Sequence, residues 1–198
     1  MINWLAQADK SGSEKRDGFH FRSGWLSLDF TATLTGRFKP STNELLAAPA
    51  DLGRWFAAAG FAQLAKDASE KDLLVAREMR ETIYTLALSL IEGAKLSQTD
   101  RRALNQFAQA ETAHPQLDDW GAMRWEGSAP SLLALLAQEA VQLFGSDASE
   151  RIKQCEAPVC AMLFLDVSRA GDRRWCSMSA CGNKAKVAEY RKRKSKGG

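Results

Sequence analysis

The sequence predicts a mainly α-helical protein with small β-hairpins. An N-terminal helical (α+β) domain over residues 1–150 precedes a small hairpin-plus-helix module over residues 151–198. Three observations carry this reading. Apolar residues between positions 41 and 144 recur at three- and four-residue spacing, the period of a helix with one buried face. The first 154 residues contain no cysteine, and all four lie after them. Charge divides the same way: residues 151–198 hold twelve Lys/Arg against four Asp/Glu, a balance of +8, which leaves −5 for residues 1–150.

The 198-residue length suits one medium domain and one small module, and 45% hydrophobic content is enough for a core. No apolar run reaches the ~20 residues of a membrane span. The N-terminus, MINWLAQADKSGSEKRDG, turns polar after six residues and lacks the apolar region of an export signal. These features imply a cytoplasmic, reduced protein with no membrane partner.

Taken in order, residues 1–18 read as loosely docked, with Trp4 and Leu5 the only candidates for packing. A short strand is expected through Phe21. The following stretch, Leu26 to Leu34, is open: its β-branched residues favour a strand. Ser41 and Glu44 have the spacing of a capping box. Pro49 suits the first position of a helix, and Leu52, Trp55, Phe56 and Ala59 give it one apolar face before Gly60 stops it.

Ser69 and Asp72 cap a longer helix, Glu70 to about Glu92. Met79, Ile83, Leu86 and Leu90 point inward, and Arg77, Arg80 and Glu81 outward. Ser97 or Thr99 opens another helix through Ala113, broken at His114-Pro115. Leu117 to Glu126, with two tryptophans around Gly121, reads as a hairpin. Ser128 caps and Pro130 starts a helix to Phe144, with Leu133, Leu136, Ala140 and Phe144 on one face. Gly145 to Ser149 forms the boundary.

The chemistry lies beyond it. Cys155, Cys160, Cys176 and Cys181 form two pairs with four residues inside each pair and fifteen between the pairs. Four thiolates suit Zn²⁺ in a closed tetrahedral structural site. An apolar run, Met162 to Val167, a turn at Ala170-Gly171-Asp172 and a second run to Trp175 make a hairpin that returns Cys176 beside Cys160. A basic helix follows Cys181, giving a treble-clef-like arrangement. An iron–sulfur cluster uses the same ligands. Two disulfides would need an oxidising compartment, for which the sequence carries no signal.

The words CEAPVC, LFLD, SR, RRWCS and CGN followed by AKV resemble the CGNR zinc finger. That finger ends proteins with an N-terminal ABATE domain, a family of stress-induced bacterial transcription regulators. The resemblance extends upstream: Leu28, Asp29, Phe30 and Thr33 match the ABATE entry motif Leu-Asp-Phe-Val-Asn-Thr, for which it implies a helix. Glu-Leu-Leu and Pro-x-Asp-Leu-x-Arg-Trp recur over residues 44–55. Two positions depart: the arginine that names the finger is Lys184, and the motif asparagine is Ala32.

A basic module on an acidic body is the footprint of a polyanion binder. The resemblance implies DNA as partner. The expected donors are Arg169, Arg173 and Arg174 on the hairpin, with Lys184, Lys186, Arg191, Lys192 and Arg193 on and after the helix. Lys184 and Arg191 form one stripe and Lys186 and Arg193 another, and the sequence does not assign either to the partner. A small-molecule effector would meet Trp25, Asp29, Phe30 and Arg37. RNA and an acidic protein fit the same charges, and oligomeric state is not encoded in any recognisable signal.

The sequence offers no catalytic constellation. His20 and His114, its two histidines, lack metal-ligand or nucleophile partners at known spacing, and no glycine-rich phosphate loop is present. Asp118, Asp119 and Glu126 flank tryptophans as a solvated hairpin. A closed four-sulfur site leaves no position for a reacting water. The expectation is a binding protein, not an enzyme.

Overall fold

The computed structural model describes residues 15–64 and 68–196. Trp4 and Leu5 lie outside them. Five helices build the body. α1 is Leu26–Thr31, α2 Pro49–Phe56, α3 Glu70–Ile91, α4 Gln98–Ala108 and α5 Ala129–Phe144. Four two-stranded antiparallel sheets surround them: β1 Lys15–Arg16 with β2 Phe19–His20, β3 Leu34–Thr35 with β4 Asn43–Glu44, β5 His114–Leu117 with β6 Met123–Glu126, and β7 Ile152–Gln154 with β8 Leu163–Leu165. A last helix, α6, spans Asn183–Lys196.

α3 is the spine. The Ser69 hydroxyl accepts the Asp72 N–H at 3.2 Å, and the Asp72 carboxylate accepts the Ser69 N–H at 2.8 Å. This reciprocal cap satisfies donors that the first helical turn leaves free. Met79, Ile83 and Leu86 are buried as their spacing predicts. Trp55 of α2 is fully buried, with Phe30 edge-on at 4.8 Å and Phe21 and Phe56 around it. Gly60 reverses the chain after α2 at φ 103°, a left-handed conformation that a side chain resists.

Three expectations are corrected. Ser41 and Glu44 do not cap a helix. Asn43–Glu44 instead lies beside Leu34–Thr35, and the Glu44 carboxylate receives both terminal nitrogens of Arg80 at 2.6 and 2.7 Å. Arg80, expected outside, is 3% exposed because Glu44 on β4 and Thr33 beside β3 meet it on that face of α3. α4 ends at Ala108, not Ala113, because the chain must straighten for His114–Leu117 to pair with β6.

Leu26–Thr31 is a helix, and two buried carboxyls hold it. Glu139 of α5 accepts the N–H of Leu26 at 3.1 Å and of Ser27 at 2.5 Å, the free donors of the α1 start. Asp29 accepts the N–H of Arg22 and of Ser23, both at 2.9 Å, and so folds the entering chain back onto the helix. Burial pushes both carboxyls up to about 7, outrunning the hydrogen bonds that pull them down.

The body and the final module share packing. Leu28 of α1 and Tyr84 and Ala87 of α3 cluster with Ile152, Leu163 and Leu165 of β7 and β8. The Leu165 N–H donates to the Ser23 carbonyl at 2.7 Å, and Gln154 donates to the Tyr84 hydroxyl at 2.8 Å.

Two predictions follow from these buried charges. Asp29 and Glu139 keep protons to about pH 7 when folded, whereas unfolded carboxyls lose them near 4. The folded state therefore binds more protons between those values, and stability falls as pH rises through the folded pKa. Thermal melts between pH 5 and 7 should show a falling Tm, as stability drops by up to about 1.4 kcal/mol per pH unit for each group and levels off above the folded pKa. Glu139→Gln should flatten that fall, and equal slopes in both proteins would contradict the assignment. Separately, Glu44→Gln leaves the Arg80 guanidinium buried with half its partners and should cost about 3 kcal/mol in urea unfolding.

Candidate metal centre

Four short segments deliver the cysteines. Cys155 follows β7, and its N–H donates to the Met162 carbonyl at 2.9 Å. Cys160 closes a turn in which its N–H meets the Ala157 carbonyl at 2.9 Å. Cys176 follows Trp175, and Cys181 lies in the wide helical turn Met178–Gly182 that leads into α6. That turn is capped by the Ser177 hydroxyl, which accepts the Ala180 N–H at 3.3 Å. Gly182 is buried against Met178: an added Cβ would stand 3.0 Å from its sulfur.

All four Sγ atoms lie within 4.8 Å of one another. Cys160 and Cys176 are 3.8 Å apart at sulfur, and Cys176 and Cys181 3.7 Å. A tetrahedral site with metal–sulfur bonds of ~2.3 Å has edges of about 3.8 Å. These separations are far longer than the ~2.05 Å of a disulfide, and all four cysteines are free. The donor set therefore fits a soft tetrahedral divalent ion.

The electrostatics agree. Hydrogen bonds from the Cys160 and Cys176 thiols pull Cys155 down, whereas hydrogen bonding to Cys155 pushes Cys160 up to about 11 and, with burial, holds Cys176 higher still. One thiolate forms readily and the next ones resist, because their protons are held in hydrogen bonds to it and burial disfavours further charge. A cation among the sulfurs removes that resistance.

The hairpin differs from the expected one. β8 pairs with β7, not with the run ending at Trp175, because Ile152 and Leu165 pair where both can reach the body core. The later run still lies alongside: the Glu156 N–H donates to the Arg174 carbonyl at 3.0 Å. Asp166 fixes the loop between. It is fully buried and accepts from Lys153 Nζ at 2.8 Å, the Ser168 hydroxyl at 2.6 Å, and the Ser168 and Arg173 N–H groups at 2.9 Å. Burial opposes its ionisation, but these donors hold it well below the usual carboxylate range. Sequence reasoning gave Asp166 no role; its place at the end of the LFLD word was the available signal.

The proposed nucleic-acid donors separate into two groups. Arg173 is a brace: its Nε donates to the Trp175 carbonyl at 2.8 Å, a terminal nitrogen donates to the Cys176 carbonyl, and the guanidinium lies over Phe164. Arg174 pairs with Glu156 at 2.6 Å beside Trp175 while staying 60% exposed. Arg169 is exposed on the loop, and Lys184, Lys186 and Arg191 are exposed on α6. The side chains of Lys192 and Arg193 lie outside the described residues.

Trp25, Asp29, Phe30 and Arg37 are each engaged within the fold. Phe30 is fully buried on Trp55, and Asp29 holds the α1 entry. Trp25 Nε1 donates to the Glu139 carbonyl at 3.4 Å. Arg37 forks onto Glu81 at 2.6 and 3.0 Å and lies 3.9 Å over the Tyr84 ring. Ala32, where the ABATE motif has asparagine, is buried among Cys155, Met162, Phe164 and Cys176. The α1 end thus shares a small apolar cluster with two of the cysteines. Asp118 accepts the N–H groups of Trp120 and Ala122 and shapes the β5–β6 turn.

No helix among the described residues is long and apolar enough to cross a membrane. A comparison with curated proteins found no match. Family models do match. The CGNR zinc finger covers residues 151–194, the segment that carries the four sulfurs and α6. ABATE, described as "Putative stress-induced transcription regulator", covers residues 24–147, from two residues before α1 to just beyond α5. With well over half of its length inside that match, the chain belongs to the ABATE family and carries a C-terminal CGNR zinc finger.

Proposed function

We propose that the protein is a cytoplasmic, zinc-containing, DNA-binding transcription regulator of the bacterial stress-response type. One observation carries the reading: a four-sulfur site of tetrahedral spacing anchors an exposed basic helix at the end of an acidic body. Cys155, Cys160, Cys176 and Cys181 would hold the zinc. The metal's contribution is structural, cross-linking segments too small to bury a core of their own. Arg173 supports this work from the protein side by bracing the Cys176 carbonyl, while Asp166 fixes the loop leading to it. The role is one of binding: four sulfur ligands complete a tetrahedron and leave no position for a substrate. The family's regulatory description supports the same assignment.

Protein purified without added metal should contain about one zinc per chain by elemental analysis. Cys176→Ser should lose most of it, and an unchanged metal content in that variant would remove Cys176 from the site. DNA affinity should fall with salt at a log–log slope of about −4 to −5, as four to six phosphate contacts require. Replacing Lys192 and Arg193 together should flatten that slope by up to about two units and weaken all duplexes alike. Failure of the zinc-loaded protein to shift any nucleic acid at low salt would instead identify the finger as a protein-interaction module.

A further inference from the structure

α6 packs chiefly against the turn Met178–Gly182 that precedes it. Only its start is anchored: Gly182 is buried and Ala185 partly so. From Asn183 to Lys194, every other residue whose side chain is described is exposed. At about 100° per residue, Gly182 and Ala185 define the side of the helix that faces the protein. The direction opposite them is occupied by Val187, Arg191 and Lys194, each within about 30° of it, with Asn183 and Lys184 at its flanks within about 50°. Lys186 stands about 110° round, toward the body. Burial therefore distinguishes two basic stripes that the sequence leaves equivalent.

The outward stripe has the chemistry of a base-reading surface. Val187 is 49% exposed, an apolar side chain on the outward side of a strongly basic helix. It stands between two cations, Lys184 and Arg191. Ser179 and Ala180 of the preceding turn continue into Lys184, Val187, Ala188 and Arg191 of α6 as one open strip along the helix. A thymine methyl matches the Val187 and Ala188 surface, and an arginine fork or a lysine ammonium matches the O6 and N7 acceptors of guanine. A 14-residue helix is about 21 Å long, enough to cross a major groove ~12 Å wide.

Resting on the DNA-binding reading above, we infer that α6 enters the major groove with the Lys184–Val187–Arg191 stripe on the base edges. Lys184 and Arg191 address guanines on either side of a thymine that packs on Val187. Lys186 meets the phosphate backbone and carries no sequence information.

The test uses full-length, zinc-loaded protein. A duplex site is first selected from random sequence, and affinity is then measured for that site and for an unrelated duplex of equal length. Arg191→Ala should lower the ratio of the two affinities by roughly 5- to 150-fold. Val187→Ala should lower discrimination at one A·T position. Lys186→Ala should weaken both duplexes alike and leave the ratio unchanged. These positions are exposed, so retained zinc content and helicity confirm that each variant is folded. An unchanged ratio in Arg191→Ala and Val187→Ala, or a lost ratio in Lys186→Ala, overturns the assignment. Salt-dependent binding that yields no selected sequence also overturns it while leaving DNA binding intact. Absence of any duplex binding defeats both readings together.

Discussion

A helix of six residues cannot hold itself together: nucleation fixes several residues for each early hydrogen bond, and so short a segment has almost no propagation to recover that cost. α1 exists because two buried carboxyls complete it. Glu139 supplies acceptors for the N–H groups of Leu26 and Ser27, and Asp29 gathers those of Arg22 and Ser23. Much of the remaining architecture meets at this short helix. Phe30 reaches the aromatic core around Trp55, Leu28 reaches the cluster under β7 and β8, and Ala32 reaches the sulfur site. The entry motif Leu-Asp-Phe thus reads as a structural device whose three side chains point into the interior. Its aspartate is set by burial and by the backbone donors of Arg22 and Ser23.

The two family matches meet in this region without a packing gap. β7 and β8 belong by sequence to the finger, yet Ile152, Leu163 and Leu165 share a core with Tyr84, Ala87 and Leu143. Met162, just before β8, and Phe164 within it alternate with them and turn to the cysteines. One short strand therefore faces two ways, as the period of two in a β-strand requires. The finger is consequently unequal within itself: its first hairpin leans on the body, while the turn holding Cys181 and all of α6 hang from the sulfur cluster.

Most of this was legible wherever a local rule decided the outcome. The helices with full turns, proper caps and apolar stripes stood out because propensity, capping and burial agree there. The four sulfurs were legible because no other cysteines compete with them. What stayed hidden depended on distant partners. Arg80 carries the charge of a surface residue, and nothing near it in sequence announces that Glu44 and Thr33 will cover it. Arg173 and Arg174 look alike in the chain, yet one braces the Cys176 carbonyl and the other pairs at the surface. The pairing of β8 with β7 was hidden for the same reason, since it is the body's apolar surface that selects the register.

The separation of charge acquires a length scale from the position of α6. A net balance of −5 over residues 1–150 repels a polyanion, and a basic surface pressed flat on that body would be partly cancelled. α6 is instead held at its first turn and rises at about 1.5 Å per residue, so Lys194 stands some 14 Å along the axis from Ala185. That exceeds the ~8 Å screening length at physiological ionic strength. Cations in the last turns of the helix therefore lie beyond that length from the anchored first turn, whereas Arg174 is paired with Glu156 and Arg173 is turned onto the Trp175 and Cys176 carbonyls. The direction of this arm is set by the turn that carries Cys181, against which the start of α6 packs. The geometry of the four sulfurs thus determines where the positive charge of the molecule points.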